Sequence, residues 1–337
     1  MKLSLEKIAR KLRLSRRTLS RAIKNEGYVS SAVRKRILLC LKKNNYTPNF
    51  YASVLASKRT NVIGLLFPRG AFGGEPEFYI QEVLRGVERA VKEKGYQLML
   101  FAQERYNNDE CLKLYKSRLV AGLLITASAQ DDYPELYKMK SNRIPLVLIN
   151  ASYRGFNSFD TDNIKGGYAA TAYLIAHGRK RIAFIHGHKN WINADDRFKG
   201  YKRALAEAHI PFRKKYVQFG YFDCNKGRVA TEKLLSLKIP PDAIFAANDK
   251  MAIGAIQAIK RSKKKIPSHI ALVGYDNHPL CEHIDPPLTT VYQPIGEIAY
   301  QACLRLIELI SFQKTSRLVV RKLFNPQLII RDSTDNR

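Results

Sequence analysis

Three arginines and three short hydroxyl side chains are concentrated in one segment near the start of the sequence, S-R-R-T-L-S-R-A-I-K at residues 15–24. An arginine guanidinium can pair with O6 and N7 of guanine, a contact worth about 1–3 kcal/mol of base discrimination. Hydroxyl groups suit phosphates or base edges. The segment therefore has the chemistry of a surface that reads DNA. Its candidate residues are Ser15, Arg16, Arg17, Thr18, Ser20 and Arg21.

A second polar set is spread over the remainder of the sequence, at points where short apolar runs end. Asn248 and Asp249 follow one such run, Asp276 follows another and Gln293 follows a third, while Arg197 opens a predicted helix. Ligands of α/β sheets bind where strands end and loops begin. Amides, carboxylates and a guanidinium can together pair the hydroxyls of a sugar, each of which both donates and accepts. This residue set favours a carbohydrate over a nucleobase as ligand.

Helical periodicity in residues 4–44 predicts three short helices that would present the first segment. Ser4 is expected to cap a helix with Leu5, Ile8, Ala9 and Leu12 on one face. Ser15 caps a second helix from Arg16 to about Lys24, and Ser30 caps a third from about Ser31 to Asn44, with Val33, Ile37, Leu38 and Leu41 inward. Pro48 marks a break, and 49–57 could form a short fourth helix. Two helices with a short connection and a basic second helix fit a helix-turn-helix.

From Val62 onward, apolar strands alternate with amphipathic helices. The predicted strands are Val62–Phe67, Gln97–Phe101, Gly122–Ile125, Leu146–Ile149, Arg181–His186, Ala243–Ala246 and Ala271–Gly274. The predicted helices between them include Tyr79–Lys94, Lys165–His177, Phe198–Ala208, Lys226–Leu237 and Met251–Lys260. Repeated βα units imply parallel sheets covered on both faces. Two such sheets fit the length better than one.

Charge is distributed unevenly along the 337 residues. Residues 1–60 contain 16 Lys/Arg and two Asp/Glu, so this segment holds about half of the net charge of +29. Such an excess is the footprint of a polyanion-binding module. We expect no membrane span, because no apolar run approaches the roughly 18 residues a span needs. We expect no secretory signal, because residues 1–30 scatter Lys and Arg among apolar positions with no unbroken apolar stretch. The five cysteines are far apart and lack C-x-x-C, so neither a disulfide framework nor a zinc site is expected, and a reducing cytoplasm is the simplest location.

Ordered motifs over about Leu3 to Arg331 resemble the LacI/GalR family of bacterial transcription regulators. They include the helix-turn-helix segment, Y-T-P-N-F-Y-A-S-V-L at 46–55, D-T-D-N-I-K-G-G at 160–167, D-R-F-K-G-Y at 196–201, A-A-N-D-K at 246–250 and V-G-Y-D-N at 273–277. The resemblance implies an all-α helix-turn-helix domain at 1–45, a hinge at 46–60, and a core at 61–331 built of two Rossmann-like lobes similar to periplasmic binding proteins. The first lobe would comprise about 61–161 and 293–318, and the second about 162–292 and 319–331.

The resemblance also implies particular contacts with double-stranded operator DNA. In the family, the hinge folds into a helix on the operator, and a leucine, Leu55 by position, wedges into the central base step of the minor groove. The implied DNA contacts are Ser4, Ser15, Arg16, Arg17, Thr18, Ser20, Arg21, Asn25, Ser30, Tyr46, Asn49, Ala52 and Leu55. Arg16 and Arg17 replace an uncharged pair common in the family, and Arg13 replaces a common glycine. The operator is therefore expected to depart from the usual half-site.

Carried over position by position, the resemblance implies effector contacts between the lobes. The implied contacts are Asn150, Asp162, Arg197, Phe222, Asn248, Asp276 and Gln293, with Phe222 placed for a sugar face to stack on it. Asn150 stands where sugar-responsive relatives often have an acidic residue. Asp162 could instead cap the helix that follows it, and both roles stay open. Asp249 is expected to be a helix N-terminal residue.

Together these features predict a homodimeric transcription regulator, with repression as the family's usual mode and a mono- or disaccharide as effector. The alternatives are a regulator controlled by a purine co-repressor, a sugar-binding protein with no role on DNA, and a sugar-metabolising enzyme. No catalytic, phosphate-loop or metal motif is present in the sequence, so neither enzyme activity nor a cofactor is expected. His186 and His188 are interpreted as ordinary loop residues. The sequence ends without a leucine heptad tail, which predicts a dimer and no tetramer.

Overall fold

The computed structural model describes residues 5–24, 27–44, 60–68, 78–103, 107–126, 130–311 and 318–334. Contacts divide the chain into two compact units, Met1–Thr60 and Asn61–Arg337.

The first unit contains three helices, α1 (Leu5–Leu12), α2 (Arg16–Lys24) and α3 (Ser31–Lys43), as the periodicity predicts. They enclose a small apolar core of Ile8, Ala9, Leu19, Ala22, Ile37 and Leu41. Ser15 Oγ accepts a hydrogen bond from the backbone N–H of Thr18 at 3.0 Å, so it caps α2 as expected. This compact trihelical arrangement fixes which face of α2 is turned away from the core.

The inward face predicted for α3 is wrong at one position. Leu38 is 51% exposed, whereas its neighbour Ile37 is fully buried. Successive helical residues are about 100° apart, so a stripe centred on Ile37 and Leu41 leaves Leu38 on the flank. The predicted residues Ser4 and Asn25 and the whole of the hinge through Arg59 lie outside the described residues.

The second unit alternates strands and helices. The strands are β1 (Val62–Pro68), β2 (Gln97–Gln103), β3 (Gly122–Thr126), β4 (Leu146–Ile149), β5 (Ser158–Thr161), β6 (Ile182–His186), β7 (Val217–Phe219), β8 (Ala243–Ala246), β9 (Ala271–Val273), β10 (Thr290–Tyr292), β11 (Arg321–Phe324) and β12 (Gln327–Ile329). The helices are α4 (Phe78–Lys94), α5 (Asn108–Lys116), α6 (Tyr133–Ser141), α7 (Asn163–Ala176), α8 (Ile192–Glu207), α9 (Cys224–Leu235), α10 (Asp249–Arg261) and α11 (Ile295–Ser311).

Two parallel sheets organise this unit into two lobes. The first sheet has the order β2-β1-β3-β4-β5-β11, and the second has the order β7-β6-β8-β9. Helices α4 and α11 pack on the first sheet around Val87, Leu124 and Ile298. The second sheet is covered around Phe184, Phe245 and Tyr201. Burial on both faces explains why the central strands read as continuous apolar runs.

One predicted lobe boundary is wrong. The sequence interpretation assigns residues 319–331 to the second lobe, but β11 pairs in parallel with β5 in the first sheet, with Arg321 opposite Ser158. Only β12 belongs with the second lobe, because it pairs with β10. Within the described residues, three segments therefore join the lobes, at 161–163, 292–295 and 324–327.

The start of α8 also differs from the prediction. This helix begins at Ile192, six residues before the predicted start, so Arg197 lies in its second turn and does not open it. The polar residues Asn193, Asp195 and Asp196 interrupt the apolar periodicity, so the sequence pattern does not show where this helix begins. An acidic residue in the first turn, such as Asp195, nevertheless stabilises the helix through its dipole. No helix in the described part of the chain is long and apolar enough to cross a bilayer.

Candidate DNA-binding face and effector site

Helix α2 presents its arginines outward from the first unit. Arg16, Arg17 and Arg21 are all exposed, while Leu19 and Ala22 fill the core behind them. The hydroxyls of Thr18 and Ser20 are half-buried, and Ser30 caps α3 by accepting from the N–H of Val33. The charged face of α2 is therefore available to a polyanion, as a recognition helix requires.

Arg197 is a buried charged residue of the second unit and is only 2% exposed. Its Nε donates to Asn163 Oδ1 at 2.9 Å, and its Nη1 donates to the carbonyl of Ala247. The guanidinium lies 3.7 Å from the ring centre of Tyr275, and Nη1 is 3.7 Å from Asp276 Oδ1. A buried guanidinium is tolerated only when it is paired in this way.

Close packing of α7 against α8 brings Arg197 to Asn163. A Cβ at Gly167 would collide with the backbone of Arg197, and one at Gly200 would collide with the carbonyl of Ile164. The two glycines therefore let the helix axes approach. This packing accounts for the second glycine of D-N-I-K-G-G and for the glycine of D-R-F-K-G-Y, whereas a Cβ at Gly166 would collide with the Tyr275 ring.

Asp276 links this arginine to one of the segments that join the lobes. Its Oδ1 accepts a hydrogen bond from Gln293 Nε2 at 2.6 Å. Gln293 immediately follows β10 and precedes α11, which belongs to the first lobe. The predicted residues Arg197, Asp276 and Gln293 therefore form one network at the junction of the lobes.

Several buried polar atoms near strand ends lack hydrogen-bond partners among the described residues. They are Asn150 Oδ1, Thr161 Oγ1, the hydroxyl of Tyr275 and Gln293 Oε1. Asn150 follows β4 with a φ of 53°, and its N–H donates to the carbonyl of Phe159. A buried polar atom without a partner costs about 1–3 kcal/mol, so such atoms call for an explanation. Hydroxyl groups of a small molecule can supply the missing partners.

Two other predicted contacts have structural roles. Asp162 caps α7, accepting from the N–H of Lys165 at 2.9 Å, which is the capping alternative for that residue. Asn248 caps α10 by accepting from the N–H of Met251 at 2.9 Å, and its Nδ2 donates to the carbonyl of Phe222 at 3.4 Å. Asp249 is the first residue of α10, as expected, and its buried carboxylate accepts from Thr290 and from the N–H of His278.

Three residues of the Arg197 network are absent from the ligand contacts predicted from the sequence. Asn163 and Tyr275 touch the guanidinium directly, and Asp160 accepts from Asn163 Nδ2 at 3.2 Å. A sequence signal for them exists, because Asp160 and Asn163 stand in the D-T-D-N motif and Tyr275 in V-G-Y-D-N. Nothing in their spacing shows that they surround an arginine 34 or more positions away.

The interpretation of His186 as a loop residue is wrong. It is the last residue of β6, is buried, and has Nε2 at 3.3 Å from Asp195 Oδ1. Burial lowers the pKa of His186 even though the Asp195 carboxylate raises it, which favours the neutral form of the ring. Asp195 also accepts from Gln130 Nε2 at 3.3 Å, and Gln130 N–H donates to the carbonyl of Asn190 at 2.9 Å. These bonds are contacts between the first and second lobes. The described residues contain no group of three or more side chains suited to a metal ion.

Burial raises the pKa of the Asp160 carboxyl from 3.8 to about 7, even though the Thr161 N–H and the charge of Arg197 lower it. The folded state therefore holds a proton that the unfolded chain releases above about pH 4, so this contribution to stability is lost as pH rises towards 7 and beyond. We expect Asp160→Asn to stabilise the protein at pH 8 and to change it little near pH 4. Each unit of difference between the folded and unfolded pKa corresponds to about 1.4 kcal/mol. The upper bound on the stabilisation by Asp160→Asn is therefore several kcal/mol.

Urea unfolding at the two pH values checks this expectation. Asp285→Asn, whose side chain is 90% exposed and pairs with Lys260 at the surface, serves as the matched control and should show no such pH dependence. A gain of equal size at both pH values, or a loss at pH 8, would contradict a protonated Asp160.

Two protein-family models match the chain. Residues 4–49 match bacterial regulatory proteins of the lacI family, and residues 171–334 match a periplasmic binding protein-like domain.

Full-length relatives agree with these matches. The chain is 31% identical to the probable HTH-type transcriptional repressor ExuR of Bacillus subtilis (strain 168) over 98% of both proteins. It is 30% identical to the HTH-type transcriptional repressor PurR of Vibrio vulnificus (strain CMCP6), again over 98% of both. It is 33% identical to the ribose operon repressor of Escherichia coli (strain K12), over 90% of this chain and 93% of that protein. Among solved structures, a complex of the transcriptional regulator CelR with cellobiose superposes with a TM-score of 0.75 at 28% identity, covering 98% and 99% of the two chains.

Proposed function

The chain belongs to the LacI family of bacterial transcription regulators, and from that premise we propose that it is a homodimeric repressor whose operator affinity is controlled by a sugar bound between its lobes. The observation that supports the effector site most is the buried network of Arg197, Asp276 and Gln293 at the junction of the lobes. A ligand that engages this network contacts both sides of the junction. It can therefore favour one arrangement of the lobes over another.

The choice of a sugar rests on the donors and acceptors around that network. The guanidinium donates, the carboxylate accepts, and the Gln293 amide does both, which suits hydroxyl groups in their double role. The unpartnered Oδ1 of Asn150 adds an acceptor that follows β4 in the first lobe. Relatives are consistent with this choice, since CelR was solved with cellobiose and another relative is a ribose operon repressor. The other proposed contacts with the sugar are made by Asn150, Phe222 and Asn248. Asp162 is proposed to act indirectly, by capping α7.

A thermal-shift panel on the purified chain tests the effector class. The panel contains mono- and disaccharides, their phosphates, and purines. A ligand at 100 times its Kd should add about 2.7 kcal/mol, or roughly 5–10 °C for lobes of this size. A shift with sugars alone supports the proposal, whereas a shift with purines alone replaces it with a nucleobase co-repressor.

On DNA, we propose that α2 enters the major groove of each half of a pseudo-palindromic operator, because its arginine face is exposed. The remaining proposed DNA contacts are Ser4, Ser15, Thr18, Ser20, Asn25, Ser30, Tyr46, Asn49 and Ala52. A binder of the bacterial chromosome works in the cytoplasm. Because relatives such as ExuR and PurR are repressors, we also propose that the chain carries no enzymatic activity, and turnover of a sugar by the purified protein would contradict this.

Leu55 gives a test of the proposed minor-groove wedge. We expect Leu55→Ala to weaken binding to the operator by more than about tenfold, or ~1.4 kcal/mol, because unstacking of the central step is no longer compensated. Binding to random-sequence DNA should change much less, since it depends on phosphate contacts. Val54→Ala is the matched control. Equal losses on operator and random DNA, measured by fluorescence anisotropy, would rule out the wedge.

A further inference from the structure

A row of aromatic rings lies at the end of β6 and β7, beside the Arg197 network. The rings of Phe222 and Trp191 have centroids 5.9 Å apart, and Trp191 stacks on His188 at 5.0 Å with an interplanar angle of 27°. His188 in turn contacts Tyr221 at 5.5 Å. The row begins at Phe222, whose carbonyl accepts from Asn248, and reaches Tyr221, which is 41% exposed. It therefore runs from the polar site towards solvent.

The backbone holds these rings in a conformation that bulky residues rarely adopt. Tyr221 and Phe222 have φ values of 53° and 58°, in the left-handed region. Gly187 leaves space for the Phe222 ring, because a Cβ at this position would collide with it. Residues keep such conformations only where the surrounding structure enforces them. The positions of Phe222 and Tyr221 are thus fixed by the fold.

Trp191 contributes its backbone carbonyl to the helix it precedes, accepting from the N–H of Asp195 at 3.0 Å, but its side chain has no capping role. It occupies the N-cap of α8, and its side chain makes no capping hydrogen bond. A residue with a capping oxygen would satisfy one of the N–H groups in the first turn of the helix, which an indole cannot do. The indole is half-buried, and its large apolar surface packs against other rings of the row. These features are those of a contact surface for an apolar ligand face.

We propose that Trp191 holds the second ring of a disaccharide whose first ring is bound by Arg197 and Asp276 beside Phe222. This inference rests on the proposed sugar effector and extends it to a two-ring ligand. The angle between the rings separates this ligand from a nucleobase. Phe222 and Trp191 are inclined at 54°, so one flat base can stack on only one of them. Two sugar rings joined by a rotatable glycosidic bond can present one apolar face to each.

Trp191 is the only tryptophan among the 337 residues, so tryptophan fluorescence reports on this position alone. The full chain is titrated with cellobiose, maltose and glucose, and binding is measured in parallel by calorimetry. We expect at least one of the two disaccharides to bind and to give a saturable fluorescence change with the same Kd. Glucose should bind more weakly and leave the emission nearly unchanged.

Two variants complete the test. Trp191→Ala should weaken binding of the disaccharide about tenfold, Trp191→Phe should restore most of it, and neither should alter operator affinity in the absence of sugar. A disaccharide that binds without a fluorescence change and with equal affinity to Trp191→Ala overturns the role of Trp191 but leaves the sugar effector standing. Binding of glucose without binding of either disaccharide would likewise overturn the role of Trp191 and leave the sugar effector standing. If none of the three sugars binds and purines do, the proposed effector class itself fails, and the two-ring site with it.

Discussion

Arg197→Lys should abolish the response to effector while leaving operator binding intact. Lysine keeps the charge but loses the planar fork, so it cannot reach Asn163, the Ala247 carbonyl and Asp276 together. A hydrogen bond that involves a charged group is worth about 1.5–3 kcal/mol, and an ammonium group cannot replace the paired donors that a guanidinium offers to a ligand. We expect the effector Kd to rise by at least about 100-fold, since ~2.7 kcal/mol already corresponds to that factor.

Calorimetry with the effector found by the thermal-shift panel measures the change in effector Kd. Fluorescence anisotropy measures whether the affinity for the operator is unchanged. Arg203→Ala is the matched control on the same helix, because Arg203 is exposed and pairs with Glu207 at the surface. It should alter effector affinity by less than about twofold. An Arg197→Lys variant that melts normally and binds effector with unchanged affinity would remove Arg197 from the site.

Arg17→Ala should produce the largest loss on DNA. If Arg17 reads a base, its removal costs about 1–3 kcal/mol at each half-site and relaxes the preference at one base pair. Binding to random DNA, and its salt dependence, should change little. If Arg17 instead binds a phosphate, the slope of log K against log[salt] falls by about 0.9 for each phosphate that is no longer neutralised, and the preferred sequence stays the same.

Selection of preferred sequences from a random pool, performed with the original chain and the variant, distinguishes these outcomes. Arg10→Ala on α1 is the control, since Arg10 is exposed and pairs with Glu6. An unchanged selected site together with unchanged operator affinity would contradict a role for Arg17 on DNA.

Periodicity predicts the strongly apolar elements of this fold and misses the polar ones. β4 and β8 have the predicted bounds because Leu146–Ile149 and Ala243–Ala246 are continuous apolar runs. β5 reads Ser-Phe-Asp-Thr and β11 reads Arg-Lys-Leu-Phe. Neither has an apolar pattern, and each is a strand because a neighbouring parallel strand pairs with it. Pairing of this kind depends on tertiary structure, which also explains the misplaced boundary of the second lobe.

The proposed effector site also combines features that the sequence predicts with features that depend on tertiary structure. Arg197, Asp276 and Gln293 are identifiable from their residue types at strand ends and from the resemblance of their motifs. The residues that position Arg197 are not, because Asn163 reaches it only through the approach of α7 and α8 at Gly167 and Gly200. The His186–Asp195 contact likewise needs α8 to begin six residues earlier than its polar first turn suggests. Sequence patterns thus supply the chemistry of the site, and helix packing supplies its geometry.

Coupling between effector and operator is the central claim for this chain. It is measured most directly as the Kd of the full chain for its selected operator, at fixed salt, with and without saturating effector. The coupling free energy of such systems is typically about 1–3 kcal/mol, so we expect the two values to differ by roughly 5–150-fold. Effector binding measured by calorimetry together with an operator Kd that does not change would contradict the claim, since a ligand with equal affinity for both states shifts nothing.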